Sequence, residues 1–187
     1  MYESGDLRKG LKIEIDEDPF VIVQFDFVKP GKGKALYKCK LKNMLTGALF
    51  DRTFRSSEKF KEANLEEREM EYLYSDGEGF CFMDTSTYDQ IFLNKDQVDE
   101  SKNFLKENIT CSILFFDEKP IGLTLPFFIN LRIVKADPWV KGDTASGDTK
   151  PATLETGYVL QVPPFAEEGE VVKIDTRTGE YVERVKE

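Results

Sequence analysis

Phe20-Val21-Ile22-Val23-Gln24-Phe25-Asp26-Phe27-Val28, then Lys29-Pro30-Gly31-Lys32-Gly33-Lys34, then Ala35-Leu36-Tyr37-Lys38-Cys39-Lys40-Leu41, is the stretch on which the fold turns. β-Branched and aromatic residues fill both flanks, and a Pro/Gly/Lys segment separates them. This reads as a β-hairpin with the basic segment at its tip. Pro30 restricts φ, while Gly31 and Gly33 permit positive φ and clear bulk from around Lys32. The Lys32 ammonium can therefore project into a narrow space or enter the active site of a modifying enzyme. An ordinary hairpin turn with solubilising lysines satisfies the same composition, and at this level both readings stand. The segment is not a nucleotide-binding loop, because it lacks the Gly-x-x-x-x-Gly-Lys-Ser/Thr spacing and a following helix.

Outward from the hairpin, short runs rich in Val, Ile, Phe, Tyr and Thr recur with turn residues between them, and helical periodicity is scarce. Strands over 11–15 and 49–54 complete a small, strongly bent barrel, with turns at Asp16-Glu17-Asp18-Pro19 and Thr46-Gly47. A boundary falls where the acidic segment Glu66-Glu67-Arg68-Glu69 begins. The middle third then reads as strands over 70–75, 79–84, 109–116 and 121–125. A helix is expected over 86–93, capped by Thr85 or Ser86, and another near 101–106. That pattern suggests a Greek-key barrel of the OB type. The last third reads as strands over 130–135, 152–156, 158–162, 170–174 and 181–185. Asp175-Thr176-Arg177-Thr178-Gly179 forms a hairpin turn with Gly179 in the left-handed position, and 142–150 is a polar loop. The class is all-β, in three small β-barrel domains over 1–64, 65–128 and 129–187. Each third has ~60 residues, close to the lower limit for an independent core, so packing between modules contributes.

Composition narrows the chemistry. With 187 residues, 40% hydrophobic and 33% charged, the chain has a soluble globular make-up, and no apolar run is long enough to span a bilayer. Its first residues lack the basic start and apolar stretch of a secretion signal, so the cytoplasm is the expected compartment. Cys39, Cys81 and Cys111 are widely spaced and histidine is absent, which argues against a zinc site and for three reduced, buried thiols. Without histidine the usual general base is also missing, and no convergent carboxylate or lysine cluster replaces it. No catalytic residue and no metal ligand is assigned.

Net charge is −9, but it is unevenly spread. Residues 1–64 carry 13 Lys and Arg against 10 Asp and Glu, whereas residues 65–128 carry 5 against 14. Between Phe27 and Phe50 there is no acidic residue, yet Lys29, Lys32, Lys34, Lys38, Lys40 and Lys42 fall there. Such a stretch suits phosphates, while the acidic middle repels non-specific nucleic acid. Lysines on a solvated strand face, blunting an edge, satisfy it equally.

Phe27-Val28-Lys29-Pro30-Gly31-Lys32-Gly33, followed by Ala35, resembles the first-domain loop of the bacterial translation elongation factor P family. Tyr72-Leu73-Tyr74-Ser75-Asp76-Gly77 resembles the start of that family's second domain. Val140-Lys141-Gly142-Asp143-Thr144-Ala145, Lys150-Pro151-Ala152-Thr153-Leu154-Glu155-Thr156-Gly157 and the run from Gly169 to Tyr181 resemble its third. The likeness covers essentially the whole chain, in order, and the long C-terminal matches are more specific than the hairpin loop.

The resemblance implies a KOW/SH3-like domain followed by two OB-type barrels in an L-shaped, tRNA-like arrangement. It implies a non-enzymatic, monomeric factor that binds both ribosomal subunits beside peptidyl-tRNA and relieves stalling at consecutive prolines. Lys32 would be the modified tip, extended by a group such as β-lysyl through a lysine-modifying enzyme, with Lys29, Pro30, Gly31, Gly33 and Lys34 forming the loop around it. Gly142, Asp143 and Thr144 would face the exit-site codon, and Tyr181 and Arg184 would contact the small subunit. No cofactor, membrane or DNA partner is implied. Lys34 stands where many members have a neutral residue, so it is a competing acceptor. A KOW/OB RNA-binding protein, or a paralogue with another role, is the alternative.

Overall fold

A computed structural model describes residues 1–29, 35–138 and 149–185. It is all-β, with three curled sheets. The chain divides into two compact units. One is Met1–Glu66 with Phe115–Ile121; the other is Glu67–Leu114 with Gly122–Glu187. Among the described residues no helix is long and apolar enough to cross a membrane.

The first unit holds strands β1 (Tyr2–Glu3), β2 (Lys12–Ile15), β3 (Asp18–Val28), β4 (Leu36–Asn43), β5 (Leu49–Arg55) and β6 (Lys59–Glu62), in sheet order β1-β6-β2-β3-β4-β5. The expected turn at Asp16–Pro19 is tighter than its sequence suggests. Asp16 and Glu17 alone take positive φ, 52° and 67°, and Ile15 already faces Asp18 across the hairpin. A bulge between Ile22 and Gln24 breaks the alternation of β3. Ile22 opposes Leu41 and Phe25 opposes Cys39, so two residues three apart face the same side. This bends the strand around a core of Leu7, Leu11, Ile13, Ile22, Cys39, Leu41, Phe54 and Phe60.

The second sheet contains β7 (Leu65–Ser75), β8 (Phe80–Asp84), β9 (Gln90–Leu93), β10 (Thr110–Phe116) and β11 (Lys119–Thr124), ordered β11-β10-β7-β8-β9. The helix expected over 86–93 is not there. Asp84 Oδ1 accepts the backbone N–H of Ser86 at 2.7 Å and of Thr87 at 3.0 Å, and the Tyr88 N–H donates to the Asp84 carbonyl. These bonds cap a single turn; Tyr88 then takes a positive φ of 64°, the Asp84 N–H donates to the Asp89 carbonyl at 2.8 Å, and the chain turns back as β9. The helical content lies later: a short helix α1 (Lys95–Val98) and a 3-10 segment, Asp99–Phe104. Asn94 and Gln97 form a capping box at the start of α1, a helix-start signal that the sequence itself carries.

The third sheet contains β12 (Phe128–Ala136), β13 (Lys150–Leu154), β14 (Val159–Val162), β15 (Val171–Asp175) and β16 (Glu180–Arg184), ordered β14-β13-β12-β15-β16. Alternation along β12 buries Ile129, Leu131 and Ile133 against Leu154, Val162, Val172 and Ile174. Phe104 joins this core and meets Tyr158 edge-on at 5.1 Å. Thr156 Oγ1 donates to the Asn103 carbonyl at 2.7 Å, and Lys106 pairs with Glu155 at 3.0 Å. These contacts join the second and third sheets within one unit. Gly179 has φ +72°, the left-handed conformation expected of it. The three cysteines are free and buried, as expected from their wide spacing.

Candidate functional site

Two sets of sequence-assigned residues lie among those described: the stem of the β3–β4 hairpin, and strand β16. The tip residues Pro30, Gly31, Lys32, Gly33 and Lys34 lie outside the described residues, as do Gly142, Asp143 and Thr144.

The stem is paired to its end, with Phe27 opposite Tyr37 and Val28 opposite Leu36. Tyr37 lies 5.2 Å from the Phe27 ring and 6.2 Å from that of Phe25. This aromatic row braces the base of the tip, although Phe27 is 53% exposed. Lys29, at the end of β3, is exposed.

Along β4, Cys39 and Leu41 point into the core, so Lys38, Lys40 and Lys42 share the opposite face. The acid-free stretch in the sequence is not acid-free in space. Asp26 on β3 opposes Lys38, and Asp51 on β5 opposes Lys40. Those two carboxylates flank the basic segment in sequence and fold back beside it. Gln24, Asp26, Lys38, Lys40, Asp51, Arg52 and Thr53 line a shallow groove of about 260 Å³. Only Lys42, opposite Val21 and Leu49, has no acid across from it on either side. The cationic character of the hairpin therefore concentrates toward its ends.

On β16, Tyr181 is half-buried and packs on the core of the third sheet, and that burial raises its phenol pKa. Arg184 Nη1 donates to Glu170 Oε1 at 2.7 Å, and its guanidinium sits 5.8 Å from the Phe165 ring. Glu170 Oε2 also accepts the Glu167 N–H at 3.0 Å. The backbone bond first, then Arg184, hold the Glu170 carboxyl below its usual range. Neither Glu170 nor Phe165 was picked out in the sequence. The Glu167-Glu168-Gly169-Glu170 turn, with Gly169 at φ +91°, was the available signal.

The thiols offer little nucleophilic chemistry. Burial pushes Cys39 up to about 11 and Cys111 up to about 12. Among the described residues no group of three or more Cys, Asp or Glu side chains is placed to hold a metal ion. The described candidate residues form a braced hairpin stem and an arginine held by Glu170.

Known proteins share this organisation. Residues 3–60 match the family model described as the Elongation factor P (EF-P) KOW-like domain, 65–123 the Elongation factor P (EF-P) OB domain, and 129–184 Elongation factor P, C-terminal. The chain is 68% identical over 187 residues to a protein named Elongation factor P from Desulforapulum autotrophicum, covering all of both. It is 69% identical over 186 residues to one from Desulfosudis oleivorans, and 56% over 186 residues to "Elongation factor P 2" from Geobacter sulfurreducens, again covering all of both. Among solved structures it resembles "Eukaryotic translation initiation factor 5A from Methanococcus jannaschii". That match has a TM-score of 0.57 and 22% identity, over 66% of this chain and 91% of that one. At such identity the likeness concerns the fold.

Proposed function

The chain belongs to the elongation factor P family and is a translation elongation factor, and on that premise we propose that it binds the ribosome beside peptidyl-tRNA, stimulates peptide-bond formation and relieves stalling at consecutive prolines. The observation that carries this reading is the ordered succession of all three family domains along the chain, with the braced β3–β4 stem beneath the Lys32 loop. Proline is a hindered nucleophile whose reaction is sensitive to misalignment. A factor that holds the end of peptidyl-tRNA lowers the orientational part of the barrier without moving a proton.

In this reading Lys32, extended by a post-translational group such as β-lysyl, is the contact with the tRNA end. Lys29 and Lys34 add charge beside it, and Pro30, Gly31 and Gly33 shape the loop. Gly142, Asp143 and Thr144 face the exit-site codon, while Tyr181 and Arg184 meet the small subunit. The partners are both ribosomal subunits, peptidyl-tRNA and a lysine-modifying enzyme; the working compartment is the cytoplasm.

The test is reconstituted translation of a polyproline template with the modifying enzymes supplied. Wild type should release the stall, Lys32→Ala should lose most of that release with an unchanged fold, and Lys34→Ala should lose less. A stall untouched by wild type would refute the proposal. Intact-mass analysis of native protein should show an increment that maps to Lys32. A relative named "Elongation factor P 2" makes a paralogue with another role the second reading. Ribosome binding without stall release would favour it.

A further inference from the structure

A second basic site lies on the first unit, in the turn that leads into β2. Leu7 and Leu11 are buried, 3% and 7% exposed, and fix the two ends of this turn in the core. The Leu11 N–H donates to the Arg8 carbonyl at 3.2 Å, closing a four-residue turn, and Gly10 sits within it at φ +86°. The Gly10 N–H donates to the Ile22 carbonyl at 2.7 Å, and the Ile22 N–H to the Leu11 carbonyl at 2.9 Å. The turn is thus pinned to β3.

Arg8, Lys9 and Lys12 are all exposed, and Ile13 is buried, which puts Lys12 on the outer face. With Tyr2, Gly10, Leu11, Glu62, Ala63 and Leu65 these cations line a depression of about 420 Å³. Glu62 is the one acidic residue lining it, and its Oε1 accepts the Tyr2 hydroxyl at 2.7 Å. None of the three cations forms an ion pair within 4.0 Å among the described residues. In a chain of net charge −9, three unneutralised cations on a pinned turn are unlike the hairpin face, where Asp26 and Asp51 oppose the lysines.

We propose that Arg8, Lys9 and Lys12 form a docking site for the sugar–phosphate backbone of RNA, separate from the contact made by the hairpin tip. The inference rests on the ribosome-binding reading above and adds a contact to it. Phosphate oxygens supply the acceptors: the Arg8 guanidinium bonds them in a fork, and the two ammonium groups act as point charges. The turn is anchored at Ile22 and the tip begins after Val28. At about 3.3 Å per residue the two sites stand roughly 20 Å apart along β3, so they engage different parts of the RNA. Glu62 opposes the docking and limits it to charge-dense partners.

The experiment measures binding of the full-length protein to ribosomes carrying peptidyl-tRNA stalled on polyproline, over a range of KCl. Arg8→Gln/Lys9→Gln/Lys12→Gln should keep the wild-type melting temperature and lose at least ~tenfold in affinity at low salt, and its log–log salt slope should be shallower by about 2–3. E62Q should bind more tightly. An iron chelate tethered at K9C, where the buried native thiols do not compete, should cut nearby RNA strands.

An unchanged slope in the triple variant would overturn the inference while leaving the ribosome reading intact. A reduced slope without RNA cutting from K9C would assign the patch to a protein partner and also overturn it. Failure of wild type to bind ribosomes would overturn both.

Discussion

Tyr181 and Arg184, three residues apart on β16, face the same side of the third sheet. Tyr181 opposes Ile174 and Arg184 opposes Val172, and Val182 is the extra residue between the two registers. In a regular strand, residues three apart face opposite sides. The bulge therefore brings together the half-buried phenol and the arginine held by Glu170.

Deleting Val182 restores regular alternation and leaves Tyr181 and Arg184 two apart, still on that face. A half-buried aromatic that loses its packing costs about 2 kcal/mol, so Tyr181→Ala should lower the urea midpoint clearly, while the deletion, which keeps both side chains on that face, should lower it less. Arg184→Ala removes only a partly exposed ion pair, 43% and 26% exposed at its two side chains, and should cost no more than about 1 kcal/mol. Chemical denaturation of the three variants checks the contrast. A loss for the deletion as large as that for Tyr181→Ala would show that the two side chains do not keep their shared face without the bulge.

Acid sensitivity has an identifiable source in Asp175. Arg177 donates to both of its carboxylate oxygens, and these bonds lower its pKa from 3.8 to about 2. A carboxyl depressed in the folded state contributes stability above its unfolded pKa and loses it as pH falls through the folded value. That contribution is therefore present above about pH 4 and disappears toward pH 2. Asp175→Asn should flatten this part of the stability curve relative to wild type and leave the slope above pH 5 unchanged. Urea titrations between pH 2 and 6 read it directly.

Gly179 tests the same hairpin sterically. Its φ is +72°, and a Cβ there would lie 2.7 Å from the Tyr158 hydroxyl. Gly157 has a similar φ of +86° but open space around it. Gly157→Ala should cost about 1 kcal/mol from backbone strain alone, and Gly179→Ala roughly 2 kcal/mol because strain and clash add. Removing the hydroxyl with Tyr158→Phe should recover part of the Gly179→Ala loss. Thermal melts of the single and double variants separate the two effects.

Much of the fold is legible because apolar strand residues seek burial: Ile13, Leu41, Ile113, Leu131 and Ile174 all lie in strands expected from the sequence and are buried. What was not legible depends on single hydrogen bonds and on register. The Thr85–Leu93 segment has a cap residue and apolar spacing compatible with a helix, yet it makes one capped turn before Tyr88 takes a positive φ of 64° and the Asp84 N–H closes on the Asp89 carbonyl. The bulges at Val23 and at Val182 carry no sequence mark, since both residues are ordinary strand formers. For the candidate site, the hairpin and its lysines were legible along the chain. The acids facing them were not, because cross-strand pairing is a property of register.

The facing acids make a last prediction. If the hairpin's outer face met phosphates through Lys38 and Lys40, Asp26 and Asp51 would oppose every such contact from directly across the strands. Lys38→Gln/Lys40→Gln should therefore shift the salt slope of ribosome binding by less than about one phosphate equivalent, well below the change expected for Arg8, Lys9 and Lys12. Asp26→Asn/Asp51→Asn removes the opposing charge and should tighten binding several-fold at low salt, with little change at high salt where exposed charges are screened. Cys39 and Leu41 beneath the face stay buried in both variants, so the fold should hold, as circular dichroism would verify. A large slope change for the lysine pair, with no gain from the aspartate pair, would show that the β4 face carries phosphates despite its carboxylates.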